Sequence, residues 1–417
     1  MGLVNMIRNG MRSFLQLKEA QPNQIIINEA MTFEDNAAKN QIWYRGESFE
    51  LAQLYSQLQN TKNSFWGANS SQGQEIRKIH TGIPGLIVDR LVDIVVYDMN
   101  DFEFKDTKQS DLWDSIQDEN DFEQQLKDAI KDALVIGDGA FRISFDSEVS
   151  QLPIIEWVGG ERIQIKNKRG RLNEVVFTTR FEENRRTYTL EEHYGFGYVR
   201  NKLYRDDNEI DMQSTEYTRN ISDYEFDKSL ILCVPFRVFV SKKEKGRGQS
   251  IFERKSDTFD SLDEAWSQWM DALRAGRTKT YIPESLIPRD PKTGMLLRPN
   301  AFDNRFIKTA EDTTENGKNV ITQLQANIPH DSYLATYVTA LDLALQGIIS
   351  PSTLGIDVKK LDNAEAQREK EKATLYTRNS IVISLQKFIP RLVSMTINSF
   401  NVLNHRPIEE ITVNVPF

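Results

Sequence analysis

The sequence predicts an α+β protein: helices first, then an antiparallel sheet, then long helices. Three observations predict it. Up to about residue 138 the apolar residues recur at helical spacing. From about 140 to 240 the short runs FRISFD, PIIEWV, RIQIKN, EVVFTTR, RTYTLEEHY and YVRNKLYRD alternate β-branched and aromatic residues with polar ones. Turn residues separate them, as in KNKRGR and YGFG. After Ser241 helical stripes return, interrupted by a proline-rich stretch.

The elements follow in order. Residues 1–20 read as an amphipathic helix with Met6, Ile7, Phe14 and Leu17 near one face, and 21–40 as a polar linker or arm. Helices are expected from about Ser48 to Asn60 and from about Ile83 to Val95. The segment 98–128 carries eleven carboxylates against three lysines, which reads as a solvated acidic face because D-x-D-x-D-G calcium spacing is absent. The sheet spans about 140–240, and its last strand holds Cys233 as a core residue. SKKEKGRGQS (241–250) reads as a polar, partly basic loop. A long helix is predicted over Ile251–Arg277, with Phe259, Leu262, Trp266, Trp269 and Leu273 as its apolar stripe. Asp257, Asp260, Glu264, Gln268 and Asp271 form the opposite, acidic face. Residues 278–328 form a loop-rich insert with short elements. A second helix, 329–349, has Leu334, Val338, Leu341, Leu345 and Ile348 as its stripe, and so few charges that burial on several sides is expected. Pro351 and Gly355 break the pattern over 350–363. A third helix starts near Asn363, and Pro390 is expected to kink or interrupt it. EEITVNVPF ends the chain as a strand-like run.

The 417 residues allow two to four domains at about 100–200 residues each. Hydrophobic residues make up 39%, enough for a core. A formal charge of −9 argues against a general nucleic-acid coat, which needs a basic surface. One cysteine excludes an intrachain disulfide and a Cys-cluster zinc site, and the four histidines are scattered. The chain shows no apolar run of about 18–20 residues and only a weak apolar stretch at its start, so a cytoplasmic protein of a reducing compartment, without a membrane contact, is expected. No Walker A, GxGxxG after a strand, GxSxG or HExxH pattern occurs. The residues therefore predict no enzyme, no metal and no cofactor. Two other readings stay open: an α/β nucleic-acid-processing or nucleotide-binding enzyme with a metal site in 98–128, and a capsid or tail subunit without DNA contact.

The order and texture of the chain from about residue 41 resemble the portal, or head-to-tail connector, proteins of tailed double-stranded DNA phages, the long-tailed type in particular. QIWYRGES (41–48) resembles an early family signature. DALVIGDGAFRISFD (132–146) and LPIIEWVGGERIQIKNKRGRLNEVVFTT (152–179) resemble the wing helix and sheet. SLDEAWSQWMDALRAGRTKTYIPESL (261–286) resembles the first stem helix entering the clip. ISPSTLGID (349–357) and DNAEAQREKEKATLYT (362–377) resemble the tunnel loop and tunnel helix.

The resemblance implies a portal-like layout: an N-terminal helix and arm (1–40), wing (41–240), basic loop and first stem helix (241–277), clip (278–328), second stem helix (329–349), tunnel loop (350–363), tunnel helix (364–403) and a C-terminal wing strand (404–417), the family's helical crown being short or absent. It implies a homo-oligomeric ring, usually of twelve subunits, at one capsid vertex of the virion, assembled in the host bacterial cytoplasm. The implied partners are double-stranded DNA touched transiently, the terminase large subunit, the major capsid and scaffolding proteins, and a head-completion or adaptor protein. Under it, Asp257, Asp260, Glu264 and Asp271 line the channel. Ser352, Thr353, Asp357, Lys359 and Lys360 face DNA in the tunnel loop. Phe259, Leu262, Trp266, Trp269, Leu273, Leu341 and Leu345 pack between subunits in the stem.

Overall fold

The computed structural model describes residues 31–58, 64–68, 76–283, 286–287, 289–295, 306–309, 321–356 and 364–417. The N-terminal helix expected over 1–20 lies outside them. Part of the expected arm is instead helix α1, Phe33–Arg45. Its polar sequence hides a strong start signal: Thr32 and Asp35 form a reciprocal capping box, and Gly46 at φ 75° ends the helix. Helices α2 (Ser48–Gln57) and α3 (Ile83–Asp98) fall where the periodicity put them. Strand β1 (Glu103–Phe104) precedes α4 (Thr107–Glu119) and α5 (Phe122–Val135), whose acidic faces are largely exposed while Trp113, Ile116, Phe122 and Leu126 are buried.

The region 138–240 forms two sheets rather than one meander. Strands β2 (Asp138–Ser144) and β3 (Ile154–Gly159) make a small antiparallel sheet with the later β10 (Cys233–Arg237), in the order β10-β2-β3. The second sheet runs β4 (Ile163–Lys168), β5 (Arg171–Glu183), β6 (Arg186–Gly195), β7 (Tyr198–Arg205) and β8 (Asn208–Ile210), with β9 (Tyr224–Glu225) also on β7. Its hairpins are tight. Arg169–Gly170, Asn184–Arg185 and Asp206–Asp207 each place two successive residues at positive φ, the turn that matches strand twist. Cys233 is fully buried, as expected for a core residue, and burial pushes its thiol pKa up.

The two sheets and α1 are tied together by Arg247, which lies in a short hairpin of β11 (Phe239–Val240) and β12 (Gly248–Gln249). The 241–250 run is therefore not simply a solvated loop. The Arg247 guanidinium donates to both oxygens of the fully buried Asp138, at 3.0 and 2.9 Å, and to the carbonyls of Ile163 and Gly160. It also stacks 3.6 Å from the ring centre of Phe33. Four of its five N–H donors meet acceptors, and such hydrogen bonding is the condition under which a buried pair is tolerated. The hairpin reaches this position because Gly137 (φ 126°) and Gly248 pass back to back; a Cβ on Gly248 would sit 1.9 Å from the Gly137 carbonyl oxygen.

After β12 come α6 (Ser256–Ala275), strands β13 (Lys279–Pro283), β14 (Phe306–Thr309) and β15 (Thr322–Leu324), then α7 (His330–Leu345). The insert thus carries a three-stranded sheet, β13 parallel to β14 and antiparallel to β15. Helix α8, Ala364–Leu403, runs 40 residues through Pro390 without ending. The expected interruption does not occur, because Phe388, Ile389, Leu392 and Val393 are buried on both sides of the proline and hold the helix through the lost hydrogen bond. Phe388 packs on Phe141 and Phe236, joining α8 to the small sheet. Contrary to the reading of the sequence, Glu371–Leu403 is long and apolar enough to cross a membrane by length and composition; half of its most apolar window is buried inside the molecule. Strand β16 (Val413–Asn414) pairs antiparallel with β1.

Candidate functional site

The feature with the least explanation in the fold itself is the antiparallel hairpin of α6 and α7. Helix α6 begins five residues later than its apolar pattern suggests, and it is buried on two flanks rather than one. The first flank is the predicted stripe. Phe259 and Leu262 are buried in the chain's own core, and Phe259 packs on Trp43 at 5.9 Å. Trp43 belongs to the QIWYRGES run and is fully buried. Further along, Trp266 and Trp269 are half-buried and meet Tyr337 of α7 at 5.3 and 6.2 Å, and Trp269 meets His330 at 5.5 Å. Leu341 and Leu345 of α7 are 2% and 1% exposed. Phe259, Leu262, Leu341 and Leu345 are therefore not available to a second subunit, because the chain's own core covers them. Leu273, by contrast, is 43% exposed.

The second flank was missed. Asp260, Asp263 and Ser267 follow at i, i+3 and i+7, so they share a face. They dock on Phe65, Trp66 and the segment Ile79–Thr81. The Asp260 carboxylate accepts from the backbone N–H groups of Phe65 and Trp66 at 2.7 and 3.1 Å. Asp263 accepts from Trp66 Nε1, Thr81 N and Thr81 Oγ1, and its Oδ2 lies 2.6 Å from His80 Nδ1. Ser267 Oγ accepts from Ile79 N at 2.9 Å. Asp260 is thus not on an open acidic face. Burial pushes its pKa up, and the two N–H groups pull it back part of the way. Of the remaining acidic set, Asp257 is exposed, and Glu264 and Asp271 are partly so. A stripe of three polar residues at helical spacing was the signal in the sequence; its donors, in a stretch with no periodicity, were not legible.

Helix α7 is fixed at its C-terminal end. Lys255, just before α6, donates to the carbonyls of Leu343 and Gln346 at 2.8 and 2.9 Å, satisfying last-turn acceptors. Thr377 Oγ1 of α8 donates to Ile348 O, and Thr374 Oγ1 accepts from Ser350 N. Residues Pro351–Leu354 form a 3-10 turn. Pro351 and Leu354 are buried, and Thr353 Oγ1 lies 3.2 Å from Thr374 Oγ1. This half of the expected tunnel loop is packed on α8, so Thr353 does not reach freely outward, whereas Ser352 is exposed. Asp357, Lys359 and Lys360 lie outside the described residues.

Elsewhere α7 is open, against the expectation of burial on several sides. Leu334 is 38% and Leu343 49% exposed. Between the helices runs a groove of about 620 Å³, walled by small residues such as Ala265, Ala335, Thr339 and Ala340 and edged by Glu264 and Gln268. Among the described residues no group of three or more His, Cys, Asp or Glu side chains is placed to hold a metal, including those of 98–128.

No family model and no curated protein matches the chain. Among solved structures it is similar to a chain from the virion of a native gene transfer agent particle, at 11% identity and a TM-score of 0.40, over 98% of this chain and 89% of that one. A TM-score of 0.40 assigns neither a family nor a role.

Proposed function

We propose that this chain is a non-enzymatic structural subunit of a virion, and more finely a portal subunit. In this reading copies of it form a closed ring at one capsid vertex, usually of twelve. DNA passes through the axial channel while a terminase large subunit does the hydrolysis. The three-stranded insert between α6 and α7 takes the part of the clip, for the motor and then for a head-completion protein. The wing takes the capsid contact.

The observation that carries the reading is the hairpin's incomplete burial. The chain itself buries Phe259, Leu262, Leu341 and Leu345, yet Leu273 and Leu334 stay exposed on the two helices and Leu343 is exposed on the groove between them, which small residues wall. Apolar surface of this kind, grouped along a helix pair, marks a protein contact. Neighbouring copies, each presenting the same hairpin around an axis, would supply it. The ordered likenesses in the sequence, from QIWYRGES to the tunnel-helix run, support the portal form of that contact. Exposed Asp257 and partly exposed Glu264 and Asp271 suit a channel that must not hold phosphates.

Negative-stain imaging of the purified chain tests it. Rings with an open axial channel are expected. A capsid or tail subunit would give sheets, tubes or no channel, and an enzyme would give a monomer with nuclease or nucleotide-hydrolysing activity.

A further inference from the structure

A cavity of about 120 Å³ lies where α1, the β11–β12 hairpin and the first turn of α6 meet. Three independent features converge on it. The first is the N-terminus of α6. Its N-cap, Lys255, supplies no side-chain cap, and the first intrahelical bond runs from Phe259 N to Lys255 O, so the amides of Ser256, Asp257 and Thr258 have no helical acceptor. Ser256 lines the cavity.

The second is Asn40. It is 6% exposed and lines the cavity, and its side-chain amide makes no hydrogen bond to another described residue. A polar side chain this little exposed favours a hydrogen-bonding partner. The third is Lys39, whose half-buried ammonium also lines the cavity and forms no ion pair among the described residues. Burial and the nearby Lys243 lower its pKa, while Asp257 and Glu253 pull it back part of the way.

We propose that this cavity binds inorganic phosphate between the α6 N-terminus, the Asn40 amide and the Lys39 ammonium. The volume is about four times the ~30 Å³ share of a water molecule, which admits a five-atom oxyanion. The charged groups facing it are Lys39, Lys243 and Arg254, against Glu244 and Glu253, with Asp257 nearby on α6. The carboxylates choose among anions. Hydrogen phosphate carries an O–H that can donate to Glu244 or Glu253; sulfate at neutral pH carries none and meets only repulsion there. Bound phosphate links the three elements that hang α6 on the wing, so it stabilises their junction. This site is independent of the portal reading.

The test is a thermal-unfolding titration of the full chain with sodium phosphate at pH 7, sodium chloride and sodium sulfate serving as matched-ionic-strength controls. A saturable rise in Tm is expected below about 10 mM phosphate, with sulfate weaker by about tenfold for want of one charge-assisted hydrogen bond. Lys39→Gln should weaken phosphate by about tenfold or more. Asn40→Leu, which removes the unpartnered amide at similar volume, should leave the phosphate-free protein at least as stable and lose the rise. No saturable rise in the wild-type chain, an equal rise with chloride, or a rise retained in Asn40→Leu overturns the proposal.

Discussion

The two ends of the α6–α7 hairpin are built by different means. At the core end, Phe259, Leu262, Leu341 and Leu345 are buried, and Asp260 and Asp263 accept hydrogen bonds from Phe65, Trp66 and Thr81. At the far end the helices meet through Trp266, Trp269 and Tyr337, and Leu273 and Leu334 face outward. One end is finished as a domain core is, with apolar packing and every buried carboxylate paired. The other is finished only on the side where the two helices face each other. The contrast teaches that a shared apolar stripe does not fix what covers it: the same 3, 4 spacing serves the chain's own core at one end and is left open further out.

That contrast is open to attack by mutation. The largest effect is expected at Asp263. Asp263→Ala strands the donors of Trp66 and Thr81 and should cost about 3 kcal/mol or more in chemical denaturation. A loss below 1 kcal/mol would mean that the second flank is not an anchor. Leu341→Ala should follow closely, at about 3 kcal/mol for a fully buried leucine. Leu334→Ala, seven residues earlier on the same helix, should cost less than about 1 kcal/mol to the isolated chain, yet weaken assembly. Equal losses at the two leucines would erase the distinction between the ends.

Asp260 sharpens the comparison through pH. Its folded pKa is raised above the unfolded value, so its contribution to stability is fully present below the unfolded pKa and is lost as pH rises through the folded one. Asp260→Asn should flatten that fall above the ordinary carboxylate range while leaving the slope elsewhere unchanged. A pH profile identical to wild type would remove burial as the cause. Glu264→Gln, on the groove edge, should shift stability by no more than about 0.5 kcal/mol.

Much of the fold was legible where local rules and tertiary contacts agree. The α3 pattern, the β4–β7 alternation and the tight turns at Gly170 and Gly197 are written in short stretches of sequence, and each is satisfied by neighbours close in the chain. What escaped were contacts whose partners lie far apart. Arg247 looked like one more charge in a basic run; its acceptor, Asp138, is 109 positions away. Asp260 and Asp263 looked solvated because their donors come from a segment with no periodicity, 182 to 197 positions earlier. Helix α1 was hidden by polar composition, although its Thr32–Asp35 box was present to be read. Pro390 does not interrupt its helix, because its neighbours' burial outweighs one missing hydrogen bond.

The mass of the purified chain in solution tests the central claim most directly. If the far end of the hairpin is closed by neighbouring copies, the particle mass will be a closed multiple of the 48.2 kDa chain, and Leu334→Asp, which puts a charge on the exposed stripe, will shift it towards the single chain. A wild-type particle that stays at 48.2 kDa at every concentration measured would contradict the account.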